Sequence, residues 1–93
     1  MPEQLPPLYE ICGSRTRTKI LKVFSLAKKE ELQVSMIVRR VNVSIYACRK
    51  HLKILKEQNV IGCKKHGHFK WYRMHIENKK IRKLRDFFIF WEQ

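Results

Sequence analysis

Apolar residues return along the chain at two different periods, and the switches between them mark out the elements. Residues 1–7 carry three prolines and read as an extended lead-in. Leu8 to Cys12 has room for one or two helical turns before Gly13 breaks the pattern. Ile20, Leu21, Phe24 and Leu26 then recur at helical spacing behind Ser14, a suitable cap, and predict a helix over 15–27. Glu31 to Val34 reads as a short extended piece. Ser35 is expected to cap a brief helix over 36–41, with Met36, Ile37 and Val41 buried, and Asn42 and Val43 to form a tight turn.

The next stretch is the cleanest amphipathic segment. From Ser44 to about Gln58, Cys48, Leu52 and Leu55 fall at i, i+4 and i+7, a buried stripe. The opposite face holds Tyr46, Arg49, Lys50, Lys53 and Lys56. Asn59 suits a left-handed helix end. The period then shortens. Residues 60–65 and 69–75 read as two strands flanking His66-Gly67, where a glycine permits a tight hairpin. Asn78 is placed to cap a final helix over 79–91, basic at first and ending in Phe87-Phe88-Ile89-Phe90-Trp91.

A short helix, a tight turn and a second, basic-faced helix describe a helix-turn-helix, whose second helix fits the major groove of duplex DNA. Arg49 and Lys50 lie in its first two turns, within reach of base edges. Tyr46 suits a sugar or a thymine methyl group, and Lys53 and Lys56 suit phosphates. The hairpin that follows is a narrow basic wing, with Lys64, Lys65, His66, His68 and Lys70 available to neutralise phosphates. The fold class expected is mainly α with a small β-hairpin wing (α+β), spanning 1–93 as a single domain. It comprises an N-terminal segment over 1–13, a core over 14–75 and a C-terminal dimerisation helix over 77–93.

Charge sharpens the picture. The 93 residues contain 21 Lys and Arg against 8 Asp and Glu, a net of +13, far more than a small domain needs for solubility. The excess points to a polyanion, and its spread along the chain favours a folded basic face. A membrane partner would require a free terminal helix and would leave the wing unexplained, so none is expected. No segment is apolar enough to span a bilayer and no secretory leader is visible, so the chain is expected inside the cell, in the cytoplasm. Catalysis is not expected: Asp86 is the lone aspartate, and no glutamate shares a catalytic spacing with His or Ser. No cofactor or small-molecule effector is indicated. Cys63, His66 and His68 resemble soft metal ligands, but alternate strand residues point to opposite faces, so Cys63 and the loop histidines need not converge, and no metal is expected.

Five large apolar residues in a row cannot all face one small core. A twofold partner would cover them, and the expected dimer interface is Leu8, Ile11, Leu84, Phe87, Phe88 and Trp91. The cysteines, Cys12, Cys48 and Cys63, read either as free thiols acting as small apolar residues or as bridge formers. Cys48 with Cys63, or Cys12 with its mate across a dimer, are the candidate pairs.

The run VSIYACRKHLKILKEQNVIGCKKHGHFKWYRM (Val43 to Met74) resembles the recognition helix and wing of the arsenical-resistance-repressor branch of winged-helix regulators. The shared features are a serine opening the helix, then HLK-x-L, two apolar residues after the turn, a basic wing, and YRM. LYEICGSRTRTKILKVF (Leu8 to Phe24) is similar to that branch's opening helices. The resemblance implies a winged helix-turn-helix homodimer, joined through its terminal helices, that regulates transcription from a palindrome-like double-stranded site. Ser44, Tyr46, Arg49 and Lys50 match its DNA-facing positions, and His66 to His68 its wing tip. The paired cysteines of its metal-sensing members are missing: residues 31–35 read Glu-Leu-Gln-Val-Ser, so the metal switch is not carried over. Small size, basicity and cysteines also resemble winged-helix proteins of hyperthermophilic archaeal viruses, which would place the chain in a host cell.

Overall fold

Polar caps decide where most of the helices begin. A computed structural model of the chain describes residues 5–27 and 30–92, so most of the expected lead-in lies outside the described residues. The helix α1 spans Leu8–Ile11 and α2 spans Arg15–Ala27. At the head of α2 the Ser14 hydroxyl accepts from the Arg17 N–H at 3.3 Å. The close junction needs Gly13, because a Cβ there would stand 2.8 Å from the Tyr9 carbonyl oxygen. Ile20, Leu21, Phe24 and Ala27 turn inward, whereas Leu26 is exposed, contrary to the expected stripe. Two residues beyond Phe24 is about 200° around a helix, so Leu26 falls on the outer side and Ala27 takes the inner place.

The next helix, α3, covers Val34–Arg40 and begins two residues before the expected start. Gln33 occupies its cap position without a side-chain bond, and Ser35 lies inside the first turn rather than capping it. Of the three positions expected to be buried, Ile37 is, while Met36 and Val41 are half-buried. The long amphipathic helix α4, Ile45–Glu57, starts at Ser44, whose hydroxyl accepts from the Ala47 N–H at 3.0 Å. It ends at Asn59, which adopts φ 64°. There the Val60 N–H reaches the Leu55 carbonyl and the Asn59 N–H the Lys56 carbonyl, each at 3.0 Å. These two bonds form a Schellman closure. The closure turns the chain straight into the hairpin and buries Val60 beside Leu55.

Strands β1, Ile61–His66, and β2, Phe69–Met74, pair antiparallel from Ile61 with Met74 to His66 with Phe69. The turn is Gly67-His68, one residue later than expected. Gly67 alone has a positive φ, 62°, the pattern of a type II′ turn with glycine first. Leu32, in the extended piece before α3, pairs with Tyr72 through two backbone bonds of 2.8 Å and adds a one-residue third strand. The final helix, α5, spans Lys79–Trp91 and is capped by the Asn78 side chain, which accepts from the Lys80 and Ile81 N–H groups.

One core cluster draws on every element, from Ile11 in α1 through Phe24, Ile37, Leu52, Leu55, Ile61 and Met74 to Ile81 in α5. Ile11 was expected at a dimer interface, but it is 3% exposed and belongs to this core. The Glu10 carbonyl explains why: it accepts from the Arg17 guanidinium and the Gln58 amide, which pin α1 against α2 and α4. Among the described residues, no helix is long and apolar enough to cross a membrane.

Candidate nucleic-acid interface

The buried stripe of α4 fixes which side chains the helix offers to solvent. With Cys48, Leu52 and Leu55 packed inward, Tyr46, Arg49, Lys50, Lys53 and Lys56 all stand exposed on the other side. Tyr46 is 80% exposed. Arg49, Lys53 and Lys56, at i, i+4 and i+7, form one ridge of three cations. Across from it lie His68 and Lys70 of the hairpin and Gln33 and Ser35 at the head of α3, enclosing a groove of about 640 Å³. Helix and wing thus line one concave basic surface. Among the described residues, no carboxylate pairs with Arg49, Lys50, Lys53, Lys56, Lys65 or Lys70.

Strand parity sorts the wing residues, because side chains alternate faces. Cys63, Lys65, Lys70 and Tyr72 share one face of the hairpin; Lys64, His66, Phe69 and Trp71 share the other. Lys64 therefore separates from Lys65 and meets Glu31 at 3.7 Å. Both partners of that pair are partly exposed, so it is weak, but it directs Lys64 away from the groove. Ser44 remains exposed at the head of α4, its oxygen already engaged as a cap. The same parity puts Cys63 and His66 on opposite faces.

Five groove residues, Gln33, Val34, Ser35, Phe69 and Tyr72, are not singled out by the sequence. Gln33 and Ser35 reach it because α3 starts early, and nothing in their types announces that. Phe69 was legible by position, because it directly follows the turn.

All three cysteines are free thiols. Burial pushes the Cys48 thiol up, against the lowering pull of Arg49, and does the same at Cys12 against Arg17. Both are held in the protonated, less nucleophilic form. Cys63 lies against Tyr72, whose phenol is raised by burial and then by that thiol.

His51, on α4 behind the cationic face, accepts from the Arg17 Nε at 3.4 Å. Burial, then Arg17, then Lys50, lower its pKa below the ordinary value, which is about 6.5. The unfolded chain therefore takes up this proton more readily than the folded one. Stability is full above about pH 6.5 and falls as the solution is acidified through the lowered folded value. The melting temperature is expected to drop between pH 7 and pH 5 (below about 6.5), and less so in His51→Gln. Glu77 is also lowered, chiefly by its own backbone N–H, but as a carboxylate it titrates below that window. Equal slopes for both proteins would exclude His51 as the cause.

A second exposed surface is apolar. Leu8, Tyr9, Phe87, Phe90 and Trp91 are all exposed, at 56% or more. Tyr9, Phe87, Phe88 and Trp91 line a cleft of about 870 Å³ between α1, α2 and α5, with Cys12 also on its wall. Leu84 and Phe88 are half-buried against the protein's own core. Of the expected interface residues, the structure brings Phe87, Phe88 and Trp91 together here and removes Ile11.

The three-helix core, the bridge at Leu32 and the two-stranded hairpin make a winged helix-turn-helix fold. No protein-family model and no curated protein matches the chain. Solved structures do. HlyU from Vibrio cholerae aligns with TM-score 0.72 at 19% identity, over 86% of this chain and 82% of that one. The transcriptional repressor PagR of Bacillus anthracis aligns with TM-score 0.70 at 19% identity, over 86% of each chain. The homodimeric winged helix-turn-helix DNA-binding domain of Mb0332 from Mycobacterium bovis aligns with TM-score 0.67 at 17% identity, over 84% of this chain and 68% of that one. At these identities the likeness is one of fold.

Proposed function

We propose that this chain is a sequence-specific, double-stranded DNA-binding regulator of transcription that acts as a homodimer. One observation carries the reading: Arg49, Lys53 and Lys56 of α4 and Lys70 of the wing line a single groove, and none of them has a carboxylate partner among the described residues. Helix α4 occupies the major groove, with Tyr46, Arg49 and Lys50 at base edges and Lys53 and Lys56 at phosphates. The Ser44 hydroxyl, which accepts from the Ala47 N–H, has its hydrogen free to donate to a DNA phosphate at the helix head. Lys65, His66, His68 and Lys70 carry the wing onto the phosphates or the adjacent minor groove, and Lys64 contributes when it leaves Glu31. Two structural neighbours, a transcriptional repressor and a homodimeric DNA-binding domain, support the reading.

The dimer forms through α1 and α5, with Leu8, Tyr9, Leu84, Phe87, Phe88 and Trp91 at the contact. That placement brings the two Cys12 thiols near the interface. A likeness to the proteins of hyperthermophilic archaeal viruses, and a place in the host cytoplasm, fit the small basic domain. Neither catalysis nor a cofactor enters the reading.

Selection of random duplexes on the purified protein at physiological salt tests it. The expected result is an enriched, twofold-symmetric motif bound at least about 10³-fold better than bulk DNA. Tight binding without enrichment would make the protein an architectural DNA-coating protein instead, and no binding would end both readings.

A further inference from the structure

We propose that Phe69 is a wedge that enters the minor groove and parts a base step, so that the wing kinks the duplex it grips. The inference rests on the duplex-binding reading and adds to it a deformation of the DNA.

The wing tip has an unusual make-up for a solvent-facing turn. Phe69 directly follows the Gly67-His68 turn, is 61% exposed, and lies outside the hydrophobic core cluster. On its own face stands His66, its cross-strand partner; on the opposite face Lys65 pairs directly with Lys70. Like charges directly opposite in a ladder are destabilising, so the free hairpin carries a repulsion that a polyanion would relieve. The tip thus offers an apolar ring with two lysines beside it and His66 and His68 close by. The minor groove is the complementary surface. Its rims are phosphates, its floor is base edges, and at about 6 Å it is too narrow for a helix but open to a single side chain. Apolar side chains placed there part base steps and bend the duplex, most readily at flexible pyrimidine–purine steps.

The base of the wing is built to hold such a wedge steady. Tyr72 lies three residues from Phe69 on the same strand and is bonded to Leu32 through both of its backbone groups at 2.8 Å. Ile61 and Met74, the first pair of the ladder, are each 1% exposed and anchored in the core. A ring carried on a short hairpin fixed at that end can press on a base step without the hairpin folding away. An exposed phenylalanine on a flexible loop would not have that footing.

A duplex that the protein binds, carrying 2-aminopurine in turn at each TA and CA step, reads the unstacking by fluorescence. Wild type is expected to brighten the probe at a defined step. Phe69→Ala is expected to lose the brightening and bind more weakly, on the order of tenfold, the scale of one lost aromatic–base contact. Phe69→Leu, which keeps an apolar wedge, should restore much of the signal. Lys70→Ala should weaken binding yet brighten the probe fully at saturation. Wild-type binding without brightening at any step, or equal brightening by Phe69→Ala, would overturn the wedge and leave duplex binding intact. Failure of the wild type to bind any duplex would overturn both.

Discussion

Phe87→Lys combined with Trp91→Lys is expected to convert the protein to a monomer and to weaken its hold on a two-half-site duplex by about 10²–10⁴-fold, the size of a lost second engagement. The two rings stand 5.9 Å apart on α5, and both are mostly exposed in the protomer, so their removal should spare the core. Lysine is the informative replacement. It adds positive charge, so a fall in DNA affinity cannot be blamed on weaker attraction to phosphate. Affinity for a single half-site should hold steady, and the thermal transition should stay cooperative. Sedimentation together with binding to one- and two-site duplexes checks the claim. A protein that remains dimeric would move the interface away from the terminal helices. Unchanged two-site affinity in a proven monomer would remove the need for pairing.

Arg49→Ala is expected to cost about 1–3 kcal/mol at the preferred site and little on random DNA, because a bidentate arginine–guanine contact is specific. Arg49 is the one arginine on the exposed ridge of α4, and its planar fork suits two acceptors at once. Its neighbours on the ridge, Lys53 and Lys56, are point charges. Lys70→Ala is the contrasting case. It should weaken all duplexes alike and lower the salt slope by about one unit, as for a lost phosphate contact. Titrations at several salt concentrations with specific and random duplexes separate the two. Identical profiles would mean that base reading and backbone contact are not divided between helix and wing.

Much of this arrangement is legible in the sequence. Ser14, Ser44, Asn59 and Asn78 announce helix ends by their chemistry, since each offers a local hydrogen bond or a left-handed backbone. Cys48, Leu52 and Leu55 fix the inward side of α4 and, by subtraction, its cationic side. The differences have separate causes. Helix α3 is seven residues long, too short for periodicity to set its phase, so the sequence points to Ser35 as its cap. The burial of Ile11 depends on Arg17 and Gln58 reaching back to Glu10, and the second of these spans 48 residues of sequence. The separation of Lys64 from Lys65 depends on strand parity, which a run of like charges conceals. Leu26 shows the complementary limit, because an apolar residue two places past a buried one lands on the outer side of a helix.

The bond pair between Leu32 and Tyr72 has a bearing on how this chain can change over generations. It fixes the register of β2, while Ile61 and Met74 fix the ladder at its base. A single residue gained or lost in one arm between Cys63 and Lys70 would be left as a bulge and would turn over only that arm between the change and the turn. One residue gained or lost in each arm would lengthen or shorten the ladder by one pair and exchange the face that holds Lys65 and Lys70 with the face that holds His66 and Phe69. Drift in wing length should therefore keep the faces only when each arm changes by an even number of residues, and other changes should survive only where substitutions at the tip restore the displaced charges.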